Sequence, residues 1–336
     1  FAEADKAGAG HAFQNLGKTH QTELAFSGLG INIRTATPPN AVAAERAPGG
    51  SSSGAAVSTA LGLAAAGIGS DTGGSVRIPA AWNDLVGLKT AHGDVPLKGV
   101  VPLCPRFDTV GPICRTVEDA ALLYAVLTAS PAIDLGGADL SGLRLLALTG
   151  IEGEAAPQAA YEAALARLSA KGATINPLNL PLVEEALDLS GVLFTTEAYA
   201  TWGETIEAAP DTMAPQVRER FEAGKAHSGV AYARAWQRLA ALRQSYHEET
   251  AGFDAVLLPT APILPPEAER LVADAGYFVS RNLLALRNTR VGNLMGLASL
   301  TLPTGTAHCG IMAMVAPHRT RHLLRIGAAM EKALSA

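Results

Sequence analysis

Two short segments of this chain collect glycines and hydroxyls while burying almost no apolar area: Gly49-Gly50-Ser51-Ser52-Ser53-Gly54 and Asp71-Thr72-Gly73-Gly74-Ser75. Such residues cannot build a core, so their use lies in the backbone and in the hydroxyls. Successive glycines let several N–H groups point into one concavity, which suits an anion or the oxyanion that develops when a carbonyl is attacked. A serine hydroxyl becomes a nucleophile only when a neighbouring base takes its proton. Ser75 ends the second segment at the concavity formed by Thr72, Gly73, Gly74 and Ser75, and Ser51, Ser52 and Ser53 supply a second group of hydroxyls.

The elements that must position these groups are readable around them. A small-residue helix is predicted from Gly54 through Leu63, ending near Gly67, with Ser52 and Ser53 as its caps. Taken singly, each glycine and serine cluster would be an ordinary loop. Two clusters joined by one buried helix form a more specific arrangement. Further on, Glu154 to Lys171, Val217 to Ala226 and Val230 to Glu249 carry apolar residues at helical spacing with charges between them. Short apolar runs that stop at Pro or Gly, or begin at one, read as buried strands: Leu143 to Leu148, Ala255 to Leu258, Ser299 to Leu302 and Gly310 to Val315. Strands alternating with helices imply the α/β class, a sheet covered by helices. Neither an internal repeat nor a linker divides the chain.

Composition removes several functional classes. The 336 residues are 48% hydrophobic and 17% charged, enough apolar content for a large core. A net charge of -5 without a block of Lys or Arg argues against nucleic acid or a membrane surface as partner, because both demand a basic footprint. Cys104, Cys114 and Cys309 are odd in number and lack the paired spacing of a zinc site, which fits a reducing cytoplasm. The run from Ala55 to Ile68 is interrupted by Ser58, Thr59 and Gly62 and is too short to span a bilayer. Gly17-Lys18-Thr19 ends like a phosphate-binding loop, but Ala12 stands where its first glycine is required. Gly28-Leu29-Gly30 lacks its third glycine, Ile33 standing in its place. Neither a cofactor nor a metal is implied.

With these residues in view, the chain resembles the amidase signature family, serine hydrolases that cleave carboxamides through a Ser–cis-Ser–Lys triad. The resemblance rests on GGSSSG at 49 to 54, GSDTGGSVRIPAA at 69 to 81, GLKT at 87 to 90 and FDTVGPICRTVEDAA at 107 to 121. GKTHQTELAFSGLGIN at 17 to 32 and LLPTAP at 257 to 262 add to it. It spans nearly the whole chain and is densest over 17 to 121. It implies one amidase domain over 1 to 336, a central mixed sheet with helices on both faces, a more variable, mainly helical substrate side over 153 to 250, and a return to the sheet over 251 to 336. By the same resemblance, Ser75 is the nucleophile and Ser51 the bridging serine that follows a cis peptide bond. The N–H groups of Thr72, Gly73, Gly74 and Ser75 form the oxyanion hole. The substrate would be a small amide, and a homodimer is left open. Phe194, Tyr199, Trp202 and Met295 are all candidates to face it, and the sequence does not choose among them.

One part of the pattern is not met. The family's basic lysine stands on a strand end well before the Gly-Lys-Thr segment, whereas only Lys6 and Lys18 precede Ser51 and neither matches that position. The lysine is therefore expected on a segment upstream of this sequence; the alternative is an amidotransferase-subunit-like protein or a non-catalytic remnant. The eight histidines, His20, His92 and His308 among them, are scattered without a carboxylate at triad spacing, so a Ser-His-Asp mechanism is the minority expectation. Asp71 and Arg77 are expected to form a structural ion pair, and Cys104 and Cys114 to be small core residues.

Overall fold

Strands that are apolar along their whole length must find cover on two sides, and here they do. A computed structural model describes residues 14–335. In chain order its elements are α1 (Ser53–Ala60), β1 (Gly67–Ser70), α2 (Arg77–Trp82), β2 (Val86–Lys89), β3 (Val110–Cys114), α3 (Val117–Leu127) and β4 (Arg144–Leu148). They continue with α4 (Ala155–Ala170), β5 (Thr174–Leu178), α5 (Pro181–Asp188), α6 (Ser190–Ala208), α7 (Pro215–Glu222), α8 (Gly229–Thr250) and β6 (Ala255–Pro259). The chain closes with α9 (Ala268–Ala273), α10 (Ala275–Ala285), α11 (Arg287–Leu294), β7 (Ala298–Pro303), β8 (Gly310–Val315) and α12 (Thr320–Leu334).

The strands form one mixed sheet in the order β1-β3-β2-β7-β8-β6-β4-β5. The pairs of β4 with β5 and with β6 are parallel; the others are antiparallel. Alternate strand residues separate cleanly. Leu145, Leu257, Leu300 and Ala313 pack with α3, α4 and α12 in one cluster, while Leu146, Leu258, Met312 and Met314 pack with α5, α6, α8 and α11 in another. The α/β sheet with helices on both faces is thus the observed architecture. The four predicted strands are present, and so are the three amphipathic helices over 154–171, 217–226 and 230–249, the second continuing past α7 as a 3₁₀ turn over Ala223–Ala226.

Two local expectations fail. The helix after the first serine cluster stops at Ala60 rather than near Gly67, and Gly62, at φ 72°, opens the turn that leads into β1. Ser52 and Ser53 do not cap it. Their hydroxyls turn instead toward the carbonyls of Ser70 and His20, each at 3.4 Å, tying neighbouring segments to the loop. No helix among the described residues is long and apolar enough to cross a membrane.

Candidate active site

The turn between β1 and α2 carries Thr72 to Ser75, and a buried network holds it in shape. Asp71 and Arg77, at its two ends, form an ion pair at 2.8 Å with both side chains 0% exposed. Asp71 also accepts from the N–H of Val76 at 3.1 Å and from Arg77 Nε at 3.0 Å. The guanidinium donates further to the Thr289 carbonyl and to Asn293 Oδ1 on α11. Burial would raise the Asp71 carboxyl, but the charge and hydrogen bonds of Arg77, helped by Lys89 and Asn293, hold it down to about 2. This pair is the structural one expected from the sequence. The turn is also pinned sideways: Thr72 Oγ1 donates to Asp108, and Thr289 Oγ1 donates to the Gly73 carbonyl at 2.7 Å.

With the carbonyls and side chains so engaged, the amides are left over. The N–H groups of Thr72, Gly73, Gly74 and Ser75 donate to no protein acceptor among the described residues. Gly74 has φ 143°, and a Cβ there would lie 2.2 Å from Thr289 Oγ1, so the position accepts only glycine. Thr72, Gly73 and Ser75 line a cavity of about 20 Å³, and Ser75 itself is 4% exposed. Unpaired amides converging on one small cavity are what an oxyanion needs.

The Ser51 loop reaches the same place from α1. The Ser52 N–H donates to the Ser75 carbonyl at 3.2 Å, so the two serine segments are backbone neighbours. The Gly50–Ser51 peptide bond is cis, as the resemblance implies for the bridging serine. Gly30 explains the Gly-Leu-Gly segment that failed as a nucleotide motif: a Cβ on Gly50 would lie 2.5 Å from the Gly30 nitrogen, so the two backbones touch. Ser51 is 0% exposed, and its Oγ has no hydrogen-bond partner among the described residues. Thr22, whose N–H donates to the Ser51 carbonyl, has an equally unpartnered buried Oγ1. Buried hydroxyls are nearly always satisfied, so two orphans side by side mark a place built for another polar group.

The cavity wall away from the turn comes from distant elements. Phe194 of α6, Arg220 of α7 and Arg290 of α11 line both the inner cavity and an outer one of about 310 Å³. Of the four side chains that the sequence offered for the ligand, Phe194 is the one found here. Tyr199 is bonded to Glu207 at the surface, Trp202 donates to the Pro102 carbonyl at 2.7 Å, and Met295 lines a different cavity.

Other expected residues are elsewhere. Lys6 lies outside the described residues, and Lys18 is exposed. Two of the histidines play structural parts: His92 and His308 hold the carbonyls of Asp108 and Trp82 through Nδ1. Cys104, Cys114 and Cys309 are buried and unpaired with one another. The residue that sequence reasoning passed over is Lys89, the only buried lysine among the described residues. Burial, then the nearby Arg77 charge, brings its ammonium down to about 7 against the pull of Asp71 and Asp94. It donates to the carbonyls of Thr90 and Leu297, at 3.0 and 2.8 Å, rather than to Ser51. Its strand, Val86-Gly87-Leu88-Lys89, is short and glycine-bearing, so the burial of its last residue carried no local signal.

Known proteins can now be set beside this geometry. The family profile described as Amidase matches residues 9–312. The chain is 37% identical over 335 residues to 2-amino-5-chloromuconic acid deaminase of Comamonas testosteroni, covering 94% of this chain and 71% of that protein. It is 33% identical to the A subunit of the glutamyl-tRNA(Gln) amidotransferase of Halobacterium salinarum, covering 87% and 78% respectively. Among solved structures, an amidase crystal structure superposes with a TM-score of 0.81 at 31% identity, over 93% of this chain and 73% of that one. 6-Aminohexanoate cyclic dimer hydrolase shares the fold at a TM-score of 0.84 and 23% identity, over 96% and 75%. The match over most of the length, by sequence and by structure, makes this chain a member of the amidase family.

Proposed function

We propose that the protein hydrolyses the C–N bond of a small carboxamide through an acyl-enzyme on Ser75. The observation that carries this is the pairing of four free amides, Thr72 to Ser75, with a buried and unpartnered Ser51 hydroxyl beside them. Ser75 Oγ attacks the carbonyl carbon and passes its proton through Ser51 Oγ to a base. The carbonyl oxygen becomes an oxyanion that the turn amides receive, each such donor contributing about 3 kcal/mol. Collapse breaks the C–N bond, and the leaving nitrogen takes a proton back through Ser51. Water then attacks the ester, regenerating Ser75 and releasing the acid. The base in this reading is the upstream lysine that the resemblance implies, and the orphaned Ser51 Oγ is the atom it would meet. Lys89 is not assigned that part, because its hydrogen bonds go to two backbone carbonyls.

Similarity to the glutamyl-tRNA(Gln) amidotransferase protein supports a second reading, in which the same site frees ammonia from an amide for a partner enzyme. The two share Ser75 chemistry and differ in whether the isolated chain turns over. The test is amide hydrolysis by the full-length protein on short aliphatic, aryl and urea-like amides, with kcat/KM followed from about pH 5 to 10. Activity is expected to rise with pH and to survive replacement of each histidine singly. One histidine variant as inactive as Ser75→Ala would overturn the assigned triad. Turnover seen only with an added partner would favour the second reading.

A further inference from the structure

The cavity that Met295 lines, about 210 Å³, gathers basic groups and no carboxylate. Its wall carries Lys89 at the end of β2, His92 and Arg106 from the connection between β2 and β3, and Arg243 and His247 on α8. Arg243 and His247 stand four residues apart and so share one face of that helix. In a chain with a net charge of -5, this is a local inversion of sign. None of the five forms an ion pair with a carboxylate among the described residues. The two aspartates whose charge reaches Lys89 are spent elsewhere, Asp71 on Arg77 and Asp94 on the hydroxyls of Tyr124 and Thr320.

The fold explains part of this arrangement and leaves the rest. The turn from α11 to β7, with Gly296 at φ 73°, presents the carbonyls of Leu294 and Leu297; Arg243 Nε donates to the first and Lys89 Nζ to the second. Cations are favourable at a helix C-terminus, which accounts for their position. It does not use up their donors. Lys89 Nζ spends two of its three, on the Thr90 and Leu297 carbonyls, and the Arg243 Nη groups, the Arg106 guanidinium and the His247 ring have no acceptor among the described residues. His92 donates Nδ1–H to the Asp108 carbonyl at 3.1 Å, which leaves its Nε2 over. Arg106 and Arg243 lie against one ring, 5.0 and 5.7 Å from that of Trp236. Their mutual closeness is felt: burial and then the Arg243 charge lower the His247 imidazole, and Arg243 also bears on Lys89. Like charges gathered without a counter-ion cost free energy that a bound anion removes.

We infer that this cavity binds a phosphate dianion, free or as the head of a small monoester, with Arg243 and Arg106 taking its oxygens and Lys89 as the buried charge beneath them. A carboxylate carries one charge and answers one guanidinium. Two guanidinium groups, an ammonium and two imidazoles match a dianion with several acceptor oxygens, and the volume admits such a head with few further atoms. The inference does not depend on the hydrolase reading. Asn293 lines the same cavity and donates Nδ2 to Asp71 Oδ1 at 3.0 Å, so an occupant would rest against the network that shapes the Ser75 turn.

The test titrates the full-length protein with sodium phosphate, at an ionic strength held constant with chloride, by calorimetry and by thermal unfolding. Saturable binding is expected, half-complete at or below about 1 mM, with the unfolding transition moving up as the site fills and acetate producing neither effect. Arg243→Gln and Arg106→Gln should each weaken phosphate by about 10-fold or more, the size of one lost charge-assisted contact. Arg290→Gln is the control: Arg290 and Arg220, at the cavity before Ser75, also have no carboxylate partner among the described residues, and phosphate binding should survive the change. In the wild type, phosphate should slow modification of Arg243 by phenylglyoxal, read by mass spectrometry of the modified peptide, a measurement that needs no variant to fold. Glycerol 3-phosphate separates the two sources: binding tighter than that of phosphate assigns the site to a monoester, equal or weaker binding to the free ion. Absence of saturable binding of either at about 10 mM, acetate binding as tightly as phosphate, or an unchanged rate of Arg243 modification would overturn the inference. So would phosphate affinity that survives both Arg243→Gln and Arg106→Gln, or that is lost in Arg290→Gln alone.

Discussion

Arg77 and Arg290 both adjoin the turn that carries Ser75, yet one is paired on every side and the other is not. Arg77 has 0% of its side chain exposed, and it spends its donors on Asp71, Asn293 and the Thr289 carbonyl. Arg290 has its stem beside Gly73 and lines a cavity in which no carboxylate among the described residues pairs with it. The contrast separates support from chemistry. A buried charge that is fully paired holds a backbone in place, and breaking it leaves its partner stranded. A half-buried charge without a carboxylate partner costs the fold something, and a site retains it for what it binds. The serines divide in the same way: Ser52 and Ser53 are spent on neighbouring carbonyls, whereas the buried Ser51 Oγ has no partner among the described residues.

Substitutions on the two sides should therefore fail differently. Ser75→Ala should reduce kcat by roughly 10⁴-fold or more while leaving the unfolding transition in place, checked by initial rates and urea denaturation of the same preparation. Arg77→Met should do the reverse, lowering the free energy of unfolding by about 3–5 kcal/mol because Asp71 is left buried without its counter-charge. A loss below about 1 kcal/mol would break the comparison, since Arg77 would then not be a support.

Acid should act on the same support. The Asp71 pKa is held at about 2 against an ordinary 3.8, so folding is favoured by its ionised form. The pair's contribution is complete above about pH 3.8 and is lost as pH falls through about 2, a change of roughly 2 kcal/mol. Denaturation of the wild type and of Asp71→Asn between pH 2 and 6 should show their difference shrinking toward the acid end. A difference that stays constant would contradict the assignment.

The smallest expected effects lie on the cavity side. Ser51→Ala should leave stability unchanged or raise it by up to about 1–3 kcal/mol, because it removes a buried hydroxyl that has no partner, while turnover falls steeply. Arg290→Gln should change stability by less than about 1 kcal/mol, since no ion pair is lost. A large destabilisation by either would place that residue with Arg77 rather than opposite it.

How far this division was legible in the sequence depends on distance along the chain. The serine and glycine segments were readable because a turn of unpaired amides is written locally, in residues 71 to 77. The short continuous apolar runs of β4, β6, β7 and β8 were readable for the same reason. β1, β2 and β3 were not: Gly-Ile-Gly-Ser and Val-Gly-Leu-Lys are short and glycine-bearing, and β3 contains Pro112. That proline is tolerated because it pairs with Ile68 of β1 beyond the point where the β2 register, at Gly87 with Ile113, has ended. α6 mixes β-branched, aromatic and acidic residues and shows no clean stripe, because both the core and the cavity use it. The missing partners of Arg220 and Arg290 could not be seen at all. They lie on α7 and α11, each looks like an ordinary arginine of a polar helix face, and only the folded arrangement brings them before Ser75.

The central claim is that Ser75 is the nucleophile that the Thr72–Ser75 turn and Ser51 serve. The direct measurement is labelling of the full-length protein with a serine-directed fluorophosphonate, followed by peptide mass spectrometry of the wild type, Ser75→Ala and Ser51→Ala. The account predicts one adduct, on Ser75, absent from Ser75→Ala and slowed in Ser51→Ala. An adduct on another serine, or equal labelling of the Ser75→Ala protein, would contradict it.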